Sequence, residues 1–495
     1  MPSPTRTSSG VGLRSERGPV LLALMLSTAL VALDSTIIAT ASSTIARELG
    51  SFEQLPWLFS TYLLAQAVST PLYGRLADIL GRKRLMLVGI GLFFVGSAVA
   101  GAAPTMEVLI LGRVLQGLGA GAVMPVSMTI TSDIYTLEER AKTQGYLASV
   151  WGISSVVGPT LGGVFSEFVS WRWIFWVNLP LAVLAAVMLA RRYHESQHEP
   201  TREPIDYVGA ALLTTGSTLL LLGLLEGGTT WAWGSAPSVT ILAVAVALLA
   251  AFVVHGRRTA HPIIDLSLLR RRVVGASTAA SLLIGVIVLG LSTYVPIYAQ
   301  EEIGVGPLVA GFALAALTLG WPLSASNSGR LYLRIGFRLT AVIGSSLVLV
   351  GSALTLLWQS GSSIWLVAAF CFVIGAGMGL TAVPTLIAAQ TSAAGHERGA
   401  VTGTNMFARS IGSAVGVAVC GAIVNAHTRL GADGTPQGEG LMTALHLVFL
   451  LLAACAAGLL VFAALMPADR RAAADRRRSL LAEQEGAQEG EPAAA

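Results

Sequence analysis

Gly74-Arg75-Leu76-Ala77-Asp78-Ile79-Leu80-Gly81-Arg82-Lys83-Arg84 separates two apolar runs, 54–73 and 84–103. Its two outer glycines permit a tight turn against a neighbouring helix end. Asp78 is placed to accept hydrogen bonds from the exposed N–H groups of such an end, while the basic residues suit lipid phosphate. The stretch therefore has the makings of a latch built from Gly74, Asp78, Gly81 and Arg82. It also recurs. Gly329-Arg330-Leu331 with Gly336 follows at an offset of 255, as Val350-Gly351-Ser352-Ala353 follows Val95-Gly96-Ser97-Ala98. Gly117-Leu118-Gly119-Ala120-Gly121 matches Gly375-Ala376-Gly377-Met378-Gly379 at 258, as do Glu139-Arg140 and Glu397-Arg398, and Gly145, Gly158 and Gly163 with Gly403, Gly416 and Gly421. Ordered matches at a nearly fixed offset mark a duplicated unit.

Outward from that repeat, the 495 residues are 54% hydrophobic and only 12% charged, against about 25% charge in soluble domains. Such a chain cannot cover itself with a water-compatible surface, so a soluble enzyme is excluded. A membrane helix needs ~20 mainly apolar residues. Fourteen runs qualify: 18–45, 54–73, 84–103, 106–130, 143–165, 172–190, 206–225, 237–255, 274–298, 307–328, 339–358, 363–389, 399–425 and 440–466. The expected fold is an all-α membrane protein with a six-helix bundle at 18–192 and another at 273–466. Two extra helices lie in the segment 193–272. Residues 1–17 and 467–495 are polar ends, the latter a tail without fixed structure whose arginines suit anionic headgroups. The first run is too long for a signal-peptide core of ~7–15 residues and contains Asp34, so it is expected to remain as a helix. Of 31 basic residues, 26 fall on the side of the termini, which places both termini in the cytoplasm. Parallel repeats of this kind suit two bundles rocking about a central site.

Asp34 is the carboxylate that falls well inside a run, where an ionised side chain costs at least ~2.5–3.5 kcal/mol. Burial favours the neutral form of an acid and a nearby arginine its charged form, so a moving structure can switch its affinity for a proton. A fixed structural ion pair is the alternative. Arg113 and Arg409, one in each half, are the natural counter-charges. Arg113 opens Arg113-Val114-Leu115-Gln116-Gly117, with Ala120 and Met124 on the same side of a helix. Arg409 lies one turn from Asn405 and can equally snorkel towards headgroups. In the fifth run, Gly152, Gly158-Pro159 and Gly162 point to a bent helix packed closely between the two halves. Tyr62, Gln66, Met124, Met128, Trp151, Tyr294, Tyr298, Asn405 and Arg409 are candidates for a cavity that accepts apolar shapes with a few polar contacts. The aromatics of Trp171-Arg172-Trp173-Ile174-Phe175-Trp176 suit the membrane interface. Cys371, Cys420, Cys455 and His446 are expected to be packing residues. No phosphate-cradling sequence, HExxH or nucleophile with its base is present, so neither enzyme chemistry nor a metal site is expected.

In these residues the chain resembles the major facilitator superfamily, and within it the fourteen-helix drug:proton antiporters. The resemblance spans residues 18–466. It is carried by Leu33-Asp34-Ser35-Thr36-Ile37-Ile38, by Gly74 to Arg84, by Arg113 to Gly121, and by Gly152 to Gly163, which is similar to the antiporter motif. It implies that Asp34 takes and releases the coupling proton, that Arg113 relays or stabilises its charge, and that Asp78 latches an outward-open state. Two departures stand out: Ser42-Ser43 replaces the usual leucine-proline pair, and Leu333 replaces the acid in the second latch. The implied function is proton-driven export of hydrophobic or cationic small molecules from a cell, with multidrug efflux as the type. The implied setting is the plasma (inner) membrane. The expected partners are the bilayer and the substrate, with no nucleic acid, no cofactor beyond protons, and a monomer as the working unit. A proton-coupled uptake carrier and a ligand sensor that moves nothing are the alternatives.

Overall fold

Helices follow the fourteen apolar runs, and most extend beyond them. In chain order they are α1 Gly18–Leu49, α2 Leu55–Leu80, α3 Arg82–Gly101, α4 Met106–Ile134, α5 Leu137–Val164, α6 Trp173–Arg192 and α7 Tyr207–Glu226. The second part comprises α8 Ala236–Arg258, α9 Arg272–Ile297, α10 Pro307–Ile335, α11 Phe337–Leu354, α12 Ile364–Ser392, α13 Arg398–His427 and α14 Leu441–Leu465. This computed structural model describes residues 12–49, 54–195, 206–227, 231–260, 262–359, 361–427, 429–430, 436–437 and 440–467. Residues 1–11, 196–205 and 468–495, parts of the polar ends and linker expected from sequence, lie outside the described residues. Among the described residues, 13 helices are long and apolar enough to cross a membrane. The fourteenth, α2, has the length, at 26 residues, but carries Gln66, Arg75 and Asp78 among its apolar side chains.

The helix ends correct the sequence expectation at the latch. Residues 74–80 are not a turn but the last turns of α2, which continues until Gly81 at φ 94 reverses the chain into α3. Gly336 at φ 90 does the same between α10 and α11. Leu, Ala and Arg are good helix formers, and a charged helix end can run on into water, so apolarity alone understates length. Without the leucine-proline pair, α1 runs unbroken to Leu49. α5 is likewise continuous through Pro159 to Val164 before a single π turn, Phe165–Val169. Beyond α13 the chain makes one two-residue antiparallel rung, Arg429–Leu430 with Pro436–Gln437.

Each half packs in the same order. α1 lies on α5 and α2 on α4, as α9 lies on α13 and α10 on α12. Between halves, α2 meets α13 and α5 meets α10. These seams close at the end of the bundle that carries Gly81 and Gly336, here called the base. A Cβ at Gly74 would meet the Gly399 carbonyl at 2.5 Å, and one at Gly329 would collide with Ala141. Residues 74 and 329 differ by 255, and 141 and 399 by 258, so the two seams are copies of one contact. Clusters that bridge the halves reach mid-height, with Ala67 and Val68 of α2 against Ala414 of α13 and Leu221 of α7. Toward the far end the apolar clusters belong to one half each: Ile37, Ile45, Trp171 and Phe175 in the first, Tyr298, Trp358 and Phe449 in the second. The bundle is thus shut at the base, and toward the far end no buried apolar cluster of the described residues joins the halves. α7 and α8 pack on each other and cover the outside of the α2–α13 seam through Leu213, Phe252 and Phe407.

Trp171 corrects the interface expectation. It is fully buried, with its indole N–H donating to Glu48 Oε2 at 2.8 Å, and Trp173 is the half-exposed ring.

Candidate functional site

Four helices bring a polar cluster together in the middle of the first half. Asp34 of α1 receives the Arg113 guanidinium of α4 at 2.5 Å on Oδ2. Its Oδ1 accepts from the Gln116 amide at 3.0 Å and from the Asn178 amide of α6 at 3.3 Å. Gln116 also donates to Ser97 of α3 at 2.8 Å. Arg113 reaches three further acceptors: the Leu58 carbonyl at 3.2 Å, Gln116 Oε1 at 2.9 Å, and the face of the Tyr62 ring 4.1 Å from its centroid. Arg113 and Gln116 stand one turn apart on α4, so one helix face presents both. Asp34, Gln116, Asn178 and Ser97 have no exposed surface and Arg113 has 1%. The cost of burying two charges is met by their mutual attraction and by hydrogen bonds to nearly every remaining polar atom.

Of the two arginines the sequence offers as counter-charges, Arg113 is the one that meets Asp34. The acid lies inside the first half, held by that half's own helices. Asn178 went unnoticed, its amide hidden in an aromatic run. The Tyr62 hydroxyl is buried with no hydrogen-bond partner among the described residues. Tyr62→Phe is therefore expected to leave the melting temperature unchanged or raised. Tyr62→Ala removes the ring over Arg113 and is expected to lower stability by about 3 kcal/mol. Thermal unfolding of the purified variants checks both.

At the base, Asp78 closes the α2–α13 seam. It accepts from the backbone N–H of Gly399 at 3.1 Å and of Ala400 at 2.8 Å, the first turn of α13. Arg82 donates to Asp78 at 3.1 Å and to the Gly395 carbonyl at 2.8 Å, and pairs with Asp133 at 3.1 Å. Arg398 pairs with the same Asp133 at 3.1 Å. Glu195, which follows α6, accepts from the Arg82 backbone N–H at 2.7 Å. Gly81 makes the turn, whereas Gly74 lies within α2 and packs on Gly399 of α13. Asp133, Glu195 and Arg398 were missed because loop length and helix docking, not local pattern, bring them there. In the second copy, Leu333 lies beside an apolar cluster of Ala141, Tyr332 and Ile387.

The remaining candidates divide. Gln66, Met124 and Arg409 are half-buried and Trp151 is 38% exposed. Tyr298 is not a cavity residue: it is fully buried, stacked on Trp358 at 4.9 Å, and donates to the Gln359 carbonyl at 2.7 Å. Tyr294 is buried in the same cluster. Asn405 is also withdrawn from a cavity, since it bonds Ser277 at 2.8 Å and Ser281 at 2.5 Å and so fastens α13 to α9. Gly158 packs on Thr36 of its own half. The face of α5 toward the other half is that of Gly145 and Gly152, whose added Cβ atoms would lie 3.7 and 3.8 Å from Ser326 and Pro322 of α10. His446 sits between the Met442 and Trp358 carbonyls, each at 3.0 Å, as a packed residue.

Comparison with known proteins adds four observations. The sequence profile of the Major Facilitator Superfamily matches residues 24–417. Multidrug resistance protein 3 of Bacillus subtilis is 32% identical over 405 residues, which are 82% of this chain and 79% of that protein. Another Bacillus subtilis protein, the multidrug transporter MdtP, is 32% identical over 84% of this chain and 77% of its own length. Among solved structures, the human organic anion transporter MFSD10 (TETRAN) shares the fold with a TM-score of 0.60 at 16% identity, covering 89% of this chain and 99% of that one.

Proposed function

The chain belongs to the major facilitator superfamily, and from that membership we propose that this multi-pass membrane transporter is a proton-driven antiporter that exports hydrophobic compounds by alternating access. The observation that carries the reading is the Asp34–Arg113 cluster. An acid buried beside an arginine that has three other acceptors within reach can lose its counter-charge without stranding it, and then takes a proton. The closed base and divided far end match one of the two states such a cycle needs. The base, which carries Arg75, Arg82, Lys83, Arg84, Arg330 and Arg338, faces the cytoplasm of the plasma membrane on this reading. Export rather than uptake is favoured by the names of the relatives, a multidrug resistance protein and a multidrug transporter. One chain holds both halves and both seams, so a monomer suffices, with no cofactor beyond the proton.

One proton crossing ~100 mV and one pH unit yields about 3.7 kcal/mol, enough for roughly a 500-fold gradient of a neutral compound. Exchange for a monovalent cation is electroneutral and uses only the pH part, about 1.4 kcal/mol. The cationic substrates expected from resemblance find little support inside the bundle, because Asp34 is already paired and enclosed.

Liposomes containing the purified protein and a luminal pH dye test the reading. With chloramphenicol, a neutral lipophilic compound, imposed as a gradient, protons are expected to move opposite to it. Protons moving with the compound would make the protein an uptake carrier. Binding without any proton movement would make it a sensor.

A further inference from the structure

Arg409 and Trp151 stand at the same place in the two repeats, at the offset of 258 that relates Gly145 to Gly403 and Gly158 to Gly416. Their helices confirm the correspondence. α13 sets Gly412 and Gly416 on Leu282 and Val286 of α9, and Gly399 and Gly403 on Gly74 and Thr70 of α2. Phe407 and Ala414 face α7 on the outside. At about 100° per residue, Arg409 falls in the sector between the α9 and α2 faces and away from α7, which is the sector turned to the axis between the halves. On α5, Trp151 falls between the Gly158 face on α1 and the Gly145 face on α10, opposite the lipid-facing Ile153, which is 60% exposed. Its own 38% exposure on the inward side means open space in front of it. The two side chains therefore line the same central space from opposite halves.

The charge in that space is not balanced. Arg409 has no hydrogen-bond or ion-pair partner among the described residues. The carboxylate at similar depth, Asp34, is held by Arg113, Gln116 and Asn178 within the first half. A lone guanidinium in a low-dielectric space repels cations and favours an anion, and its planar fork suits a carboxylate or sulfonate. An indole face across the space offers a stacking surface for a ring system. We infer that the central space is a site for amphipathic aromatic anions, with Arg409 pairing the acidic group and Trp151 stacking on the rings. This site is the substrate site of the exporter proposed above, and the inference rests on that reading only for what happens after binding.

Equilibrium binding to the purified protein in lipid nanodiscs tests it, with empty nanodiscs subtracted. The probes are 1-pyrenebutyrate, its methyl ester and 1-pyrenemethylammonium, which share a ring system and differ in charge. Wild-type protein is expected to bind the carboxylate about tenfold more tightly than the ammonium. Arg409→Gln should weaken the carboxylate about thirtyfold and leave the ester within about twofold. Arg409→Lys keeps the charge and most of the preference, so a folding defect in the glutamine variant would not hide the effect. Trp151→Ala should weaken all three probes by about fivefold. Equal carboxylate binding by wild type and Arg409→Gln, or a wild-type preference for the ammonium, overturns the inference. Arg409-dependent binding without accumulation under a pH gradient leaves the site standing and sinks the exporter reading. Equal accumulation by wild type and Arg409→Gln does the reverse.

Discussion

Asp34→Asn is expected to abolish accumulation against a gradient, by about 100-fold or more in initial rate, while 1-pyrenebutyrate still binds. The amide keeps the shape and the hydrogen bonds from Gln116 and Asn178 but cannot carry a proton. It also leaves Arg113 charged and buried without its counter-ion, a loss of about 3–5 kcal/mol when one member of a buried pair is removed. Part of that loss is recovered because the Leu58 carbonyl, Gln116 Oε1 and the Tyr62 ring remain within reach of the guanidinium. The variant should therefore be less stable yet folded. Asp34→Glu separates charge from fit: it restores a titrating group but adds a methylene to a site with no exposed surface, and partial transport is expected. Substrate exchange across liposomes without a pH gradient distinguishes coupling from the transport path. Exchange that survives in Asp34→Asn while accumulation vanishes assigns Asp34 to the proton. Undiminished accumulation at equal protein level would remove the acid from the mechanism.

The structure also bears on how the proton arrives. Asp34 has no exposed surface in this state and is paired with Arg113 inside the first half. On the antiport reading proposed above, a rearrangement in which Arg113 turns toward its other acceptors would free the acid.

What the sequence displayed follows from the cost of each group. Charges within apolar runs are rare because they are expensive, so Asp34, Arg113 and Arg409 stood out, though which arginine the acid meets did not. Asn178 did not, because an amide in an aromatic run carries no such penalty in advance. Tyr294, Tyr298 and Asn405 show the converse: aromatic rings and amides serve a core as well as a cavity, and composition cannot separate the two uses. Repeat spacing puts Trp151 and Arg409 in register, but only the packed halves reveal that no described residue pairs with the arginine. Asp78 was legible as an acid seeking a helix end, whereas its partners lie 321 and 322 positions along the chain. That pairing is set by docking of the halves, which no local pattern encodes.

Asp78→Ala is expected to shift the protein from a closed to an open base. Hydrogen bonds from backbone N–H groups to a charged acceptor contribute about 1.5–3 kcal/mol each, and the positive end of the α13 dipole adds to them. Asp78 holds two such bonds, to Gly399 and Ala400, and both span the seam. They exist only while the base is shut, and once it opens the N–H groups regain water. Their removal should therefore change the closed-to-open ratio by about 100-fold. Asp78→Asn keeps a neutral acceptor and should produce a smaller shift. The second seam cannot compensate, because Leu333 occupies the equivalent position among apolar side chains. Leu333→Asn is accordingly the control and should move the equilibrium little. Spin labels on Arg84→Cys and Arg338→Cys, exposed positions on α3 and α11 in opposite halves, report the opening once Cys371, Cys420 and Cys455 are replaced by Ser. A longer interlabel distance in Asp78→Ala than in Leu333→Asn is the expected result. Equal distances in the two would show that glycine packing at Gly74, Gly399 and Gly403 closes the base without help from the acid.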